Sequence, residues 1–141
     1  MLYDAVEAGE EGSPEALRAA YYDELATVVA ELGVDTVVGG TGLDRATIEA
    51  IESGDQPELT VEEAAEVLAL AEGTPDAESI AAETRDHVLM GMTLAVVDVD
   101  TVARETETEL DGKEIQQAIE GRLPTTLEQF AIVQAYVDAR R

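Results

Sequence analysis

The chain has no cysteine and no tryptophan, and aromatic residues make up only 4% of its 141 residues. Without cysteine there can be no disulfides, iron–sulfur clusters or cysteine zinc sites. With so few rings, a core must be built from Ala, Val, Leu and Ile. Basic residues are scarce: 8 against 32 carboxylates, a formal net charge of -24. Lys113 is the only lysine. His87 is the only histidine, so no histidine pair exists to start a zinc triad. Long apolar runs are also missing. The most apolar stretch, Val88 to Val97, is interrupted by Gly91 and Thr93, and it falls short of the roughly 20 residues that a membrane helix needs. Met1 to Gly12 is acidic and lacks the basic start of a signal peptide. The expectation is a cytoplasmic protein with no membrane partner.

What is present repeats itself. Val34-Asp35-Thr36-Val37 returns as Val99-Asp100-Thr101-Val102. Leu43-Asp44, Ile48, Gly54 and Pro57 return as Leu110-Asp111, Ile115, Gly121 and Pro124. Thr60-Val61-Glu62 returns as Thr126-Leu127-Glu128. The changes in offset fit two added residues, Thr108 and Glu109, in one turn. A match carried through helix, turn and helix implies a duplicated unit. The boundary falls at Gly73-Thr74-Pro75, giving units 1–73 and 74–141.

Each unit reads as four helices. Ser13-Pro14-Glu15 is a helix start, and Leu17, Tyr21, Leu25, Val28 and Leu32 share one face. Gly33 suits the end of that helix. A short helix capped by Asp35 follows, then the turn Gly39-Gly40-Thr41-Gly42. Asp44 caps a third helix carrying Ile48 and Ile51. Thr60 and Glu63 form a capping-box pattern ahead of Val61, Ala64, Leu68 and Ala71. In the second unit, Thr74-Pro75-Asp76 opens a long helix expected to reach about Val97. Ile80, Thr84, Val88 and Leu94 point inward, and the segment 88–97 matches 23–32, buried on more than one side. Asp100 caps the next helix and Asp111 the third, which carries Ile115 and Ile119. Thr126 and Gln129 form another capping box before Phe130, Val133 and Val137. The expected fold is all-α.

Residues Val34 to Leu70 resemble the helix-turn-helix core of lambda-repressor and Cro-type proteins. The resemblance rests on Thr41-Gly42-Leu43 at the turn, Asp44 to Ile48 opening the third helix, Ile51 to Gly54 closing it, then Pro57 and an apolar fourth helix. The second copy keeps the helix positions but departs at the turn. The resemblance implies a tandem duplication of a four-helix lambda-repressor-like unit packed as a pseudo-dimer. It also implies duplex DNA as a partner, read by the start of the third helix. Carried over, the candidate nucleic-acid residues are Arg45, Thr47 and Glu49 in the first copy. In the second they are Lys113, Glu114, Gln116 and Gln117, with Arg122 after the helix. Gln can pair with adenine and Lys can reach guanine, but Gln116 and Gln117 cannot face the same way.

Charge separates the copies. Residues 1–99 hold 3 basic and 23 acidic residues (net -20), and residues 100–141 hold 5 and 9 (net -4). DNA contact is therefore expected mainly from the C-terminal copy, although the usual basic stripe is missing. An acidic, lysine-poor chain with regular apolar spacing resembles proteins of salt-accumulating, haloarchaeal-like organisms. Molar salt would shrink the counterion-release reward for basic patches.

No catalytic constellation emerges. Ser13, Ser53 and Ser79 have no histidine partner, and His87 alone reads as a partly packed residue. Glu62, Glu63 and Glu66 lack the Glu-x-x-His pair of a di-iron site and read as a solvated helix face. The glycine-rich turn has no following lysine to make a phosphate cradle. The expectations are no enzyme activity, no cofactor and no metal. The rival to DNA binding is a helical module that binds a protein partner or a second copy, using an apolar patch of Tyr22, Tyr136 or Met92.

Overall fold

The computed structural model describes residues 13–141, so the reading of Met1 to Gly12 falls outside it. All regular elements among the described residues are helices. They are α1 (Pro14–Leu32), α2 (Val34–Gly40), α3 (Arg45–Glu52), α4 (Val61–Leu68), α5 (Ala77–Ala95), α6 (Val99–Glu105), α7 (Gly112–Ile119) and α8 (Leu127–Asp138). The all-α expectation is met, and no helix among these residues is long and apolar enough to cross a membrane.

The caps explain most boundaries. Ser13 accepts the Ala16 N–H at 3.1 Å and starts α1. Asp44 accepts from Thr47 and Asp111 from Glu114, each at 2.8 Å. Thr60 and Glu63 close a full capping box. Four expectations need correction. α5 is capped by Asp76, which accepts the Ser79 N–H at 2.8 Å; the Thr74 hydroxyl instead donates to Leu68 and Ala71 carbonyls. α6 is capped by Asp98 rather than Asp100, because the linker ahead of it is longer than the single Gly33 ahead of α2. Asp35 lies inside the first turn of α2, where it favours the helix dipole without capping. At α8, Thr126 accepts the Gln129 N–H, but the Gln129 side chain turns away from the box. It accepts the Thr108 hydroxyl at 2.6 Å and the Glu109 N–H at 3.3 Å, tying down the two residues added to the second copy.

α1, α4, α5 and α8 form the centre, with α1 lying on α8 and α4 on α5. The first helix of each repeat therefore packs on the last helix of the other. α2–α3 lean on α1, and α6–α7 on α5 and α8. The starts of α4 and α8 meet. Val61 N–H donates to the Thr125 carbonyl at 2.9 Å, and Leu127 N–H donates to the Leu59 carbonyl at 2.8 Å. These two bonds join matching positions of the repeats, with Thr60 opposite Thr126.

One apolar cluster runs through both repeats and includes Leu25, Ile48, Ile51, Ile80, Ile115 and Leu127. A glycine lets α5 and α8 approach closely: a Cβ on Gly91 of α5 would lie 2.6 Å from a Val137 methyl of α8. A polar chain crosses the same region. The buried Tyr21 hydroxyl donates to Gln134 Oε1, and Gln134 Nε2 donates to Asp138 Oδ2 at 3.2 Å. Asp138 also meets His87 Nε2 at 3.1 Å. The single histidine is thus half-buried and held by a carboxylate. An unsatisfied buried amide costs about 1–3 kcal/mol, so the Tyr21–Gln134 bond fixes how α1 seats on α8.

Candidate functional site

α7 presents the candidate nucleic-acid residues. Its capping box is complete, since the Glu114 side chain accepts the Asp111 N–H at 3.0 Å. Gly112, Ile115, Ala118 and Ile119 face the core. That burial turns Lys113 and Gln116 outward and leaves Gln117 half-buried. Glu120, one turn beyond Gln116, then takes two of the candidates. Gln116 Nε2 donates to its Oε2 at 2.9 Å, and the Arg122 guanidinium donates to its Oε1. These bonds hold the Glu120 carboxyl below its usual range, the Gln116 bond first. A partner of Gln116 or Arg122 must therefore compete with a carboxylate already in place.

The first copy is closed in a different way. Arg45 opens α3 but is paired with Asp35 on α2 at 2.8 Å. Thr47 is half-buried with its N–H given to Asp44, and Glu49 is exposed. The structure brings Lys113, Gln116, Gln117 and Arg122 onto or beside one helix, and it places Arg45 and Thr47 on the separate helix α3. The carboxylates of α4 are more structured than a solvated face. Glu62 pairs with Arg85 at 2.9 Å, and Glu66 accepts the Gly42 N–H at 3.1 Å.

The expected apolar patch is corrected most sharply. Tyr22, Met92 and Tyr136 are buried. The exposed large apolar side chains lie along the second half of α5 instead: Leu89 at 48%, Met90 at 65%, Leu94 at 63%, and Val96 just beyond at 89%. Leu94 thus faces outward, and 88–97 is not buried on several sides. The register of the repeat explains the miss. α1 and α5 are both 19 residues long and start at Pro14 and Ala77, 63 positions apart. Leu17, Tyr21, Leu25 and Val29 therefore match Ile80, Thr84, Val88 and Met92, all buried. Matching 88–97 to 23–32 was two residues out, because Val96-Val97-Asp98 replaces the single Gly33. In the corrected register Leu89, Met90, Leu94 and Val96 stand where the first copy has Ala26, Thr27, Glu31 and Gly33. The signal was available in the sequence: the 3.6-residue period running from Ile80 through Val88 leaves Met90 and Leu94 off the buried face.

Val96 adds a second mark. It is the only described non-glycine residue with positive φ, at 57°, and it sits where the first copy has Gly33 at 89°. Such a conformation costs an L-residue roughly 1–2 kcal/mol.

Residues 17–140 match the family of unknown function DUF5791, and the chain belongs to that family. No curated protein and no solved structure matches it.

Proposed function

We propose that this member of the DUF5791 family is a non-enzymatic, cytoplasmic interaction module that docks a protein partner on the outer face of α5. Under this reading it is built from two helix-turn-helix-like units, 1–73 and 74–141, packed as an internal pseudo-dimer. The reciprocal bonds between Leu59–Val61 and Thr125–Leu127 support that packing. The observation that carries the docking reading is the ridge of Leu89, Met90, Leu94 and Val96. A chain with net charge -24 exposes four large apolar side chains on one face, at positions where its own duplicate has Ala, Thr, Glu and Gly. Large apolar side chains exposed together along one stretch of chain are the kind of surface that interaction sites use. Acidity serves solubility, and its self-repulsion is screened in the molar salt that a halophile-type chain would meet.

DNA binding through α7 is the second reading. The exposure of Lys113 and Gln116 in the first half of the third helix favours it, because that half reaches base edges in helix-turn-helix proteins. Glu120 stands against it by occupying Gln116 and Arg122.

One paired experiment separates the two. Met90→Glu/Leu94→Glu should leave the melting temperature nearly unchanged and abolish capture of specific proteins from lysate, while wild type shows no anisotropy change with a mixed pool of labelled duplexes. DNA binding by wild type that Lys113→Glu/Gln116→Glu loses would overturn the docking reading in favour of the second.

A further inference from the structure

A cleft of about 540 Å3 opens on the opposite side of α8, between the start of α1 and the α6–α7 turn. That volume lies within the range of sites that hold a few side chains or a small ligand. Its floor is apolar, from Ile132, Ala135 and Ala139. Its rim is acidic, from Glu15, Glu105, Glu107, Glu109 and Glu128. Glu128 is met by Arg18 at 2.8 Å. Among the described residues no cation pairs with Glu15, Glu107 or Glu109.

Besides Arg18, the cleft already holds a second cation of the chain's own. The Arg140 guanidinium lies over the Tyr136 ring, 3.6 Å from its centre. The Tyr136 hydroxyl donates to Glu105 at 2.7 Å, so ring and carboxylate are locked together. An aromatic face beside a fixed carboxylate suits a planar guanidinium better than a lysine ammonium, since the guanidinium can stack and fork at once. Arg140 is exposed and held otherwise by one bond to the Tyr136 carbonyl, so a competing guanidinium can displace it.

The first copy shows that the fold does not require this cleft. The counterparts of Tyr136 and Glu105 are Leu70 and Gly40, and there the Leu70 side chain packs so closely that a Cβ on Gly40 would lie 2.8 Å from it. The counterpart of Ile132 is Glu66, whose carboxylate ties down the turn at Gly42. The cleft depends on three differences: Tyr and Glu in place of Leu and Gly, the added Thr108-Glu109, and an α8 of 12 residues against 8 in α4.

We propose that this cleft binds an arginine side chain carried on an apolar segment of a partner protein, displacing Arg140 from Tyr136. The acidic rim and apolar floor together select such a segment, and an acidic second copy would be repelled. The site is distinct from the α5 ridge and stands whether or not that ridge docks a partner.

The test is a titration with the blocked peptide acetyl-Leu-Arg-Ala-Leu-Arg-Ala-amide, followed by amide NMR shifts, at the lowest KCl concentration where circular dichroism shows the chain folded. A matched peptide with citrulline in place of arginine keeps the shape and removes the charge. The arginine peptide should shift Ile132, Ala135 and Tyr136, and the citrulline peptide should bind about tenfold more weakly. Arg140→Gln, which removes the internal competitor from an exposed site, should tighten binding about three- to tenfold. Glu107→Gln/Glu109→Gln should weaken it. Equal binding of both peptides, or no gain from Arg140→Gln in a variant of unchanged melting temperature, would overturn the proposal. So would shifts confined to other surfaces.

Discussion

The two halves of this molecule share a core and differ on their outsides. Ile48 and Ile115 hold the same buried place in α3 and α7, and Leu25 and Val88 the same place in α1 and α5. Away from the core the copies part. The first has a glycine junction, a tight turn and polar outer faces. The second has a strained Val96, an added Thr108-Glu109, a longer last helix and an apolar ridge. The core teaches what holds the fold, and the departures show where the surfaces of the two copies differ.

The largest effect should come from attacking the shared core. Ile48→Asp and Ile115→Asp each place a charge in a fully buried site, and each should destabilise by more than about 4 kcal/mol. Because one cluster runs through both repeats, either substitution should abolish the whole thermal transition. Circular dichroism melts check this. Half of the helical signal surviving in a cooperative transition would show that the repeats fold as separate units and would break the comparison.

Helices and their buried faces were legible in the sequence because capping and 3.6-residue spacing are local signals. Ser13, Asp44, Thr60 and Asp111 cap as expected, and Ile80, Thr84 and Val88 are buried as expected. The junctions were harder. Gly33 becomes Val96-Val97-Asp98 in the second copy, and a repeat read at constant offset carried the wrong face of α5 inward. Side-chain partners that skip along the sequence were also invisible. Nothing local tells that Gln129 leaves its capping box for Thr108, or that Arg85 reaches back to Glu62.

A smaller effect should separate the first helices by pH. α1 carries Tyr21 and Tyr22, where α5 has Thr84 and Arg85. Burial pushes the Tyr22 hydroxyl up to about 12 and raises that of Tyr21 as well. A raised folded-state value means the native protein keeps its proton longer than the unfolded chain, whose tyrosines ionise near 10. Their contribution is therefore full below about pH 10 and is lost as pH rises towards 12. Denaturant melts between pH 9 and pH 12 should show a plateau and then a fall, with tyrosinate absorbance rising together with unfolding. Full ionisation of the tyrosines in a chain that keeps its ellipticity would show that α1 is not seated as described.

The smallest effect is the most direct on the comparison itself. Gly33→Val should cost about 1–3 kcal/mol, since the junction sits at φ 89° and ψ 150°, a region kept almost entirely to glycine. The reverse change, Val96→Gly, removes a different strain, that of a left-handed helical residue at φ 57° and ψ 48°, but adds freedom to the unfolded chain, worth about 0.5–1 kcal/mol against folding. The net gain should be at most about 1 kcal/mol, read from urea melts of the two variants beside wild type. A gain, or no change, means the exposed valine contributes little to the fold, as expected of a side chain kept for a contact outside it. A clear loss of stability in Val96→Gly would mean that the valine packs usefully within the chain. The ridge would then lose its most exposed member, and the docking reading would rest on Leu89, Met90 and Leu94 alone.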